Sequence, residues 1–414
     1  MTAAPRTLIF AILLIAYNAS ADIKIGLNYD RTGPYATQGL DQFQAAQMAV
    51  EEINSKGGIL GQNIDLEVTD AAANASASVS NANELIRKGV KMIFGGAASS
   101  VAIAVGEVAN RAKVPFFGTL TYSTETTVEQ GKKFVFRECY DSFAAASVLG
   151  SYIKKNLADK KFFYITARYT WGYTTERSIR NISSTTDIQH HERVYTPFPD
   201  ASENDFKEAI SKAKVAKPDV LVLVLFGADM VKAIREARKQ GFDQSKTIIV
   251  PNLTLGMAED AGPEAMEGVI GATPWMYQVP LKEHMARGKL FVDKFAAKYQ
   301  RFPDTPAASA YTILYEYKAA VERVKSFDGL TVVNALEGQS YTFLKDKQYW
   351  RDFDHQSIQT VYAVKVRKAE EIKKSKFKLD YFEIITKMSG EEAFISKTAW
   401  LAARKAADKP PTLQ

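Results

Sequence analysis

The feature that most constrains this chain is a hydrophobic period that keeps switching between two and three to four residues. Ile23, Ile25 and Leu27 alternate with polar residues, as a strand does, and Phe43, Ala46, Val50 and Ile53 then recur at helical spacing until Gly57 and Gly58. Ile64, Leu66 and Val68 predict the next strand; Val79, Ala82 and Ile86 predict a helix stopped by Gly89. A short buried strand over 92–94, a helix through Val101, Ala104, Val105 and Val108, and a strand over 114–117 follow. Parallel strands need a crossover of a dozen or more residues, usually a helix. The alternation therefore predicts an α/β fold, with a parallel sheet covered by helices on both faces.

The pattern then restarts. Strands are expected over 162–166 and 194–196, a helix after Trp171 and Gly172, and another through Phe206, Ala209 and Ile210. The unbroken apolar run 220–226 suits a central strand buried on both faces. Ile234 and Ala237 face inward on a helix closed by Gly241, and 248–250 is a strand. The stretch from Met92, MIFGGAASSVAIAVGEVANRAKVPFF, echoes LVLVLFGADMVKAIREARKQGF from Leu221. A length of 414 residues accommodates two such units. Beyond Trp275, helices are expected near 290–299 and 307–324, strand pieces near 341–344 and 361–366, and a helical stretch near 391–406 after a Lys-rich region.

Arg6, the apolar run 8–16 and Ala19-Ser20-Ala21 read as a secretory signal peptide over 1–21, cleaved before Asp22. The run falls short of the roughly 20 apolar residues that span a bilayer. Cys139 is the single cysteine, so an exported chain of this kind has no internal disulfide. The formal charge of +6, concentrated late in the sequence, reads as a solvated basic face, and no nucleic-acid partner is expected.

Signatures of several chemistries are missing. There is no G-x-x-x-x-G-K-[ST], and in DRTGPYATQG Pro34 has no N–H to offer a phosphate. The histidines are His190, His191, His284 and His355; the one adjacent pair would face opposite sides of a strand, so no metal and no cofactor is expected. No G-x-S-x-G elbow exists, and no motif ties a histidine to Ser99 or Ser100. The chain reads as a binder rather than an enzyme.

The segment IKIGLNYDRTGPYATQGLDQFQAAQMAVEEINSKGGILGQNIDLEVTD, with FGGAASSVAIAVGEVANRAKVPFF and DFKEAISKAKVAKPDVLVLVLFGADMVKAIREARKQGF, resembles type I periplasmic solute-binding proteins of ABC transporters, in the leucine/isoleucine/valine-binding group. The resemblance spans about residues 23–366. It implies two doubly wound lobes joined by three crossovers, placed near 138–142, 271–277 and 352–356. The lobes would comprise 22–140 with 275–353, and 141–274 with 354–400, leaving 401–414 as a loose tail. It further implies a periplasmic monomer that closes on a small carboxylate, amide or amino acid and delivers it to a membrane permease. A sensor partner of a membrane receptor is the alternative, and an α/β hydrolase a weaker one.

Ligands of open α/β sheets sit beyond the strand carboxyl ends, where helix N-termini favour anionic groups. Ser99 and Ser100 begin a helix there and are N-cap residues if not ligand contacts. By resemblance, Thr121, Tyr122 and Ser123 finish a carboxylate site, and Trp171 stands where the family usually has Tyr. Asn252 falls where amino-acid binders usually carry an acid; an amide offers an ammonium no charge. Asp229 is the candidate substitute, and Tyr35 and Gln38 are first-lobe contacts. Phe226 and Trp275 would add to an aromatic cleft.

Overall fold

The computed structural model describes residues 22–414; the expected signal peptide lies outside the described residues. The strands are β1 (Ile23–Tyr29), β2 (Ile64–Asp70), β3 (Ile93–Gly95), β4 (Phe116–Gly118), β5 (Val135–Arg137), β6 (Phe162–Ala167), β7 (Arg193–Thr196), β8 (Val220–Val224), β9 (Thr247–Asn252), β10 (Ile270–Thr273), β11 (Ser340–Tyr341), β12 (Gln348–Trp350), β13 (Ser357–Ile358), β14 (Val361–Val366) and β15 (Phe382–Met388). The helices that position the site are α1 (Ala36–Asn54), α2 (Ala75–Arg87), α3 (Ser99–Ala112), α4 (Ser142–Asn156), α5 (Thr170–Ser183), α6 (Glu203–Ala216), α7 (Ala228–Lys239) and α8 (Leu255–Ala261).

Two sheets form the cores of two lobes. The first is all-parallel in the order β2-β1-β3-β4-β5. The second runs β15-β14-β10-β9-β8-β6-β7, parallel from β10 to β7 and antiparallel through β14 and β15. β8 is buried along its whole length, as its unbroken apolar run predicts. Side-chain caps set several helix starts: Asn74 accepts from the Ala77 N–H, Asp141 from Ala144, and Ser202 and Asp205 form a reciprocal capping box.

The chain crosses between lobes after β5, after β10 and between β13 and β14. Lys345 staples these crossings. Its ammonium donates to the Pro274 and Thr360 carbonyls and to Gln359 Oε1, while Gln359 Nε2 donates to the Glu138 carbonyl. Burial pushes the Lys345 ammonium down to about 8.

The third crossing falls at Gln359 and Thr360, later than the expected 352–356. His355 and Gln356 remain against β5, through the Arg137 N–H to His355 carbonyl bond of 3.0 Å and the Arg137–Gln356 bridge. Residues 354–358 therefore stay with the first lobe. The expected loose tail, 401–414, is also corrected. A helix over Lys397–Ala406 returns to the first lobe, where Trp400 is fully buried, and the residues beyond it are hydrogen-bonded. β15 escaped the sequence reading because it is a half-exposed edge strand in a lysine-rich stretch.

Candidate functional site

The ends of β1, β3 and β4 in one lobe face those of β6, β7, β8 and β9 in the other. The loop after β1 makes the first contact. Its Pro34 carbonyl accepts from the Ala228 N–H at 2.9 Å. A Cβ on Gly227, whose φ is +58°, would sit 2.4 Å from that carbonyl, so this close approach requires glycine. Gly39 serves the same loop: a Cβ there would lie 1.9 Å from the Asp30 carbonyl.

An aromatic cluster fills the centre. Tyr35 bonds through its hydroxyl to the Tyr169 hydroxyl at 2.8 Å, and its ring lies 5.6 Å from Phe198 and 5.3 Å, edge-on, from Phe226. Phe226 also meets Tyr122 at 5.6 Å and Trp171 at 6.0 Å, and Tyr122 meets Tyr140 at 5.1 Å. Such edge-on and stacked pairs add about 0.5–1.5 kcal/mol each beyond burial. Trp171, on the first turn of α5, donates from Nε1 to Asn252 Oδ1 at 3.1 Å.

A polar wall adjoins it. The Ser99 hydroxyl, on the first turn of α3, accepts from the Ser123 N–H at 3.0 Å. The Ser123 hydroxyl lies 3.2 Å from the hydroxyls of Thr170 and Thr174 across the cleft, and Thr170 also donates to Glu125. Thr121 turns its hydroxyl into its own loop, 2.9 Å from that of Thr126. Ser100 is only half-buried on α3. Trp275 stands outside the cluster, in the hinge, donating to the Leu344 carbonyl.

Several buried polar atoms lack protein partners: both amide atoms of Gln38, Nδ2 of Asn252, the Tyr122 hydroxyl and Oδ2 of Asp30. Unmade hydrogen bonds of this kind cost about 1–3 kcal/mol each, and a polar solute in the cleft would satisfy those that face it. Burial raises the Asp30 carboxyl to about 7, although it accepts the Ala73 N–H, and raises Asp229 on α7 to about 7 despite Lys232. Both carboxyls act on the Tyr35 hydroxyl, which burial already holds well above its ordinary range.

The structure thus brings Tyr35, Tyr122, Trp171 and Asn252 together, joins Ser99 to Ser123, and places Asp229 within electrostatic reach of Tyr35. Tyr169, Phe198, Tyr140 and Asp30 were not singled out from sequence. Tyr169 and Phe198 each follow a strand carboxyl end by two residues, so the rule used for Ser99 applies equally to them. Among the described residues no histidine bonds to Ser99 or Ser100: His191 accepts the Phe162 N–H, and His355 stacks on Phe136 and bonds Glu337. The described residues hold no cluster of three or more metal-ligating side chains, and no helix among them is long and apolar enough to cross a membrane.

A family model described as periplasmic binding protein matches residues 22–371. A Leu/Ile/Val-binding protein of Rhizobium johnstonii is 32% identical over 214 residues, covering 51% of this chain and 56% of the relative, so the chain spans about half of that relative's length. A leucine-, isoleucine-, valine-, threonine- and alanine-binding protein of Pseudomonas aeruginosa is 25% identical over 338 residues, 80% of this chain and 88% of that one. A periplasmic binding protein from Burkholderia mallei superposes with a TM-score of 0.81 at 24% identity, over 91% of this chain and 97% of its own. An ABC-transporter solute-binding protein from Rhodopseudomonas palustris, solved with 3,4-dihydroxybenzoic acid, gives 0.76 at 20% identity, over 89% and 98%. At these identities the structural likenesses speak for the fold alone.

Proposed function

The chain belongs to the periplasmic binding protein family, and from that premise we propose that it is the exported solute-capturing component of an ABC importer. It holds a small solute between the lobes, hinge closure completes the site, and a membrane permease receives the closed form. Binding involves no bond-making, no metal and no cofactor. The observation that carries this reading is an aromatic cluster contributed by both lobes, in which the Tyr122 hydroxyl and Asn252 Nδ2 are buried without partners.

The solute class follows from the lining. Ser99 and Ser123, beside the start of α3, suit a carboxylate or amide oxygen. Tyr35, Tyr122, Tyr169, Trp171 and Phe226 suit an apolar or aromatic body. Asn252 offers an amide, so an ammonium would have to be met by Asp229 or Asp30. The names of the relatives favour branched-chain amino acids; this lining favours a carboxylate or amide with a larger apolar body.

Thermal melting against panels of aliphatic and aromatic carboxylates, amides and amino acids tests the reading. A solute that binds only the folded protein at 100 times its Kd stabilises it by about 2.7 kcal/mol, a shift of several degrees. Absence of a shift with every class would overturn the proposal.

A further inference from the structure

The helix over 397–406 and the residues after it lie beyond the part of the chain that the family model matches. The chain leaves β15 in the second lobe, and Gly390 packs against Ile358 and Gln359 at the third crossing, where a Cβ would meet Ile358 at 2.5 Å. The Arg351 guanidinium holds the Ile395 carbonyl at 2.8 Å, and the helix then settles on the first lobe. This segment is a fourth link between the lobes.

Its landing place is the loop that carries Ser123. Trp400 is fully buried and donates from Nε1 to the Thr127 carbonyl at 3.0 Å. Arg404, 2% exposed, lies over the Trp400 ring and donates to the Val128 carbonyl at 2.7 Å and the Gly131 carbonyl at 3.4 Å. The same guanidinium holds the Pro410 and Thr412 carbonyls, the latter at 3.1 Å, and the Gln414 carbonyl accepts from the Lys133 N–H and from Asn110 Nδ2. The other side of the loop is held by buried Arg137, which donates to the Ser123 carbonyl, to the Thr127 hydroxyl at 2.8 Å and to Asp141 at 2.9 Å. Thr127 is therefore fixed through its carbonyl by Trp400 and through its hydroxyl by Arg137. One helical turn upstream stands Ser123, whose N–H and hydroxyl meet Ser99, Thr170 and Thr174.

We propose that Trp400 and Arg404 are positioning residues for solute capture: residues 397–414 form a strap that locks the 123–131 loop so that Ser123 is held at the cleft wall. The part concerning capture rests on the solute-binding reading above. A side chain set within a fraction of an ångström by surrounding hydrogen bonds binds more tightly than one that must first be ordered.

The test uses full-length protein carrying Trp400→Phe or Arg404→Ala, together with a deletion of 397–414. Amide hydrogen exchange on solute-free protein is read for residues 121–131 and, as an internal control, for β8. Titration calorimetry uses whichever carboxylate, amide or amino acid raises the wild-type melting temperature. The expected result is at least tenfold faster exchange confined to 121–131 in Arg404→Ala, a smaller increase in Trp400→Phe, and a five- to tenfold rise in Kd with unchanged exchange in β8. Loop exchange within twofold of wild type would overturn the strap, as would exchange rising equally in β8, the sign of a merely structural role. Faster loop exchange with an unchanged Kd would overturn its part in capture. If the deletion variant does not fold, Trp400→Phe, which keeps an aromatic ring and removes the donor, decides. If no solute binds wild type, the functional reading fails and the exchange measurement alone decides whether the strap locks the loop.

Discussion

Replacing Asp229 by asparagine should change how stability depends on pH, because the wild-type carboxyl is buried. Asp229 is 3% exposed on the first turn of α7, and burial lifts its carboxyl from an ordinary 3.8 to about 7. Between those values the unfolded chain has released the proton and the folded chain retains it. The Asp229 contribution to stability therefore falls as pH rises from about 4 to 7, then levels off above 7, where both forms are ionised. At about 1.36 kcal/mol per unit, the penalty is about 2 kcal/mol at pH 5 and about 4 kcal/mol at pH 8. The amide of the Asp229→Asn variant cannot titrate, so the gap between variant and wild type should widen by about 2–3 kcal/mol over that range. Asp30, also raised to about 7, is present in both proteins and cancels in the difference. Urea unfolding followed by circular dichroism at half-unit pH steps reads the gap. Parallel pH profiles would refute the argument, because they would mean that the Asp229 carboxyl is ionised and solvated in the folded protein.

Trp171→Phe keeps an aromatic ring but strands Asn252 Oδ1 in a buried site, and should cost about 1–3 kcal/mol in urea unfolding; pairing it with Asn252→Leu should recover part of that loss in a double-mutant cycle. Gly39→Ala forces a methyl toward the Asp30 carbonyl and should destabilise by at least about 1–3 kcal/mol, seen as a lower melting temperature. Gln38→Ala removes two unpartnered buried amide atoms, so it should leave the melting temperature of solute-free protein unchanged or higher while weakening solute binding in calorimetry. A solute that presents an ammonium to Asp229 should release protons on binding near pH 6, measured by calorimetry in buffers of different ionisation enthalpy, whereas a plain carboxylate should not.

Much of the fold was legible because burial on both faces writes long apolar runs, as in β8, and amphipathic helices write their period, as in α1 and α3. The three-residue strands β3 and β4 were found because neighbouring helices frame them. β12 and β13, two or three residues long and antiparallel, have no such frame, and Gln348 and Ser357 bond each other and also Glu138 and Tyr341, pairings that no local pattern announces. The site was partly legible. Ser99 opens a helix beyond a strand carboxyl end, which strand direction singles out, whereas Ser123, Trp171 and Asn252 are marked by the family resemblance. Tyr169 carries no local signal of its own beside Trp171, and its bond to Tyr35 joins residues 134 positions apart. The contacts of the 397–406 helix are illegible for the same reason: Trp400 and Arg404 look like any amphipathic helix until the loop they touch, some 270 residues earlier, is placed beside them.

Capture of one solute between the lobes is the property on which the proposed function depends. Its most direct test is titration calorimetry of a stabilising carboxylate, amide or amino acid against wild type, Ser99→Ala, and Lys154→Ala in the separate second-lobe cavity lined by Lys154, Lys160 and His190. The expected result is one site per chain, at least tenfold weaker binding in Ser99→Ala, and unchanged binding in Lys154→Ala. Unchanged affinity in Ser99→Ala, or a loss confined to Lys154→Ala, would contradict it.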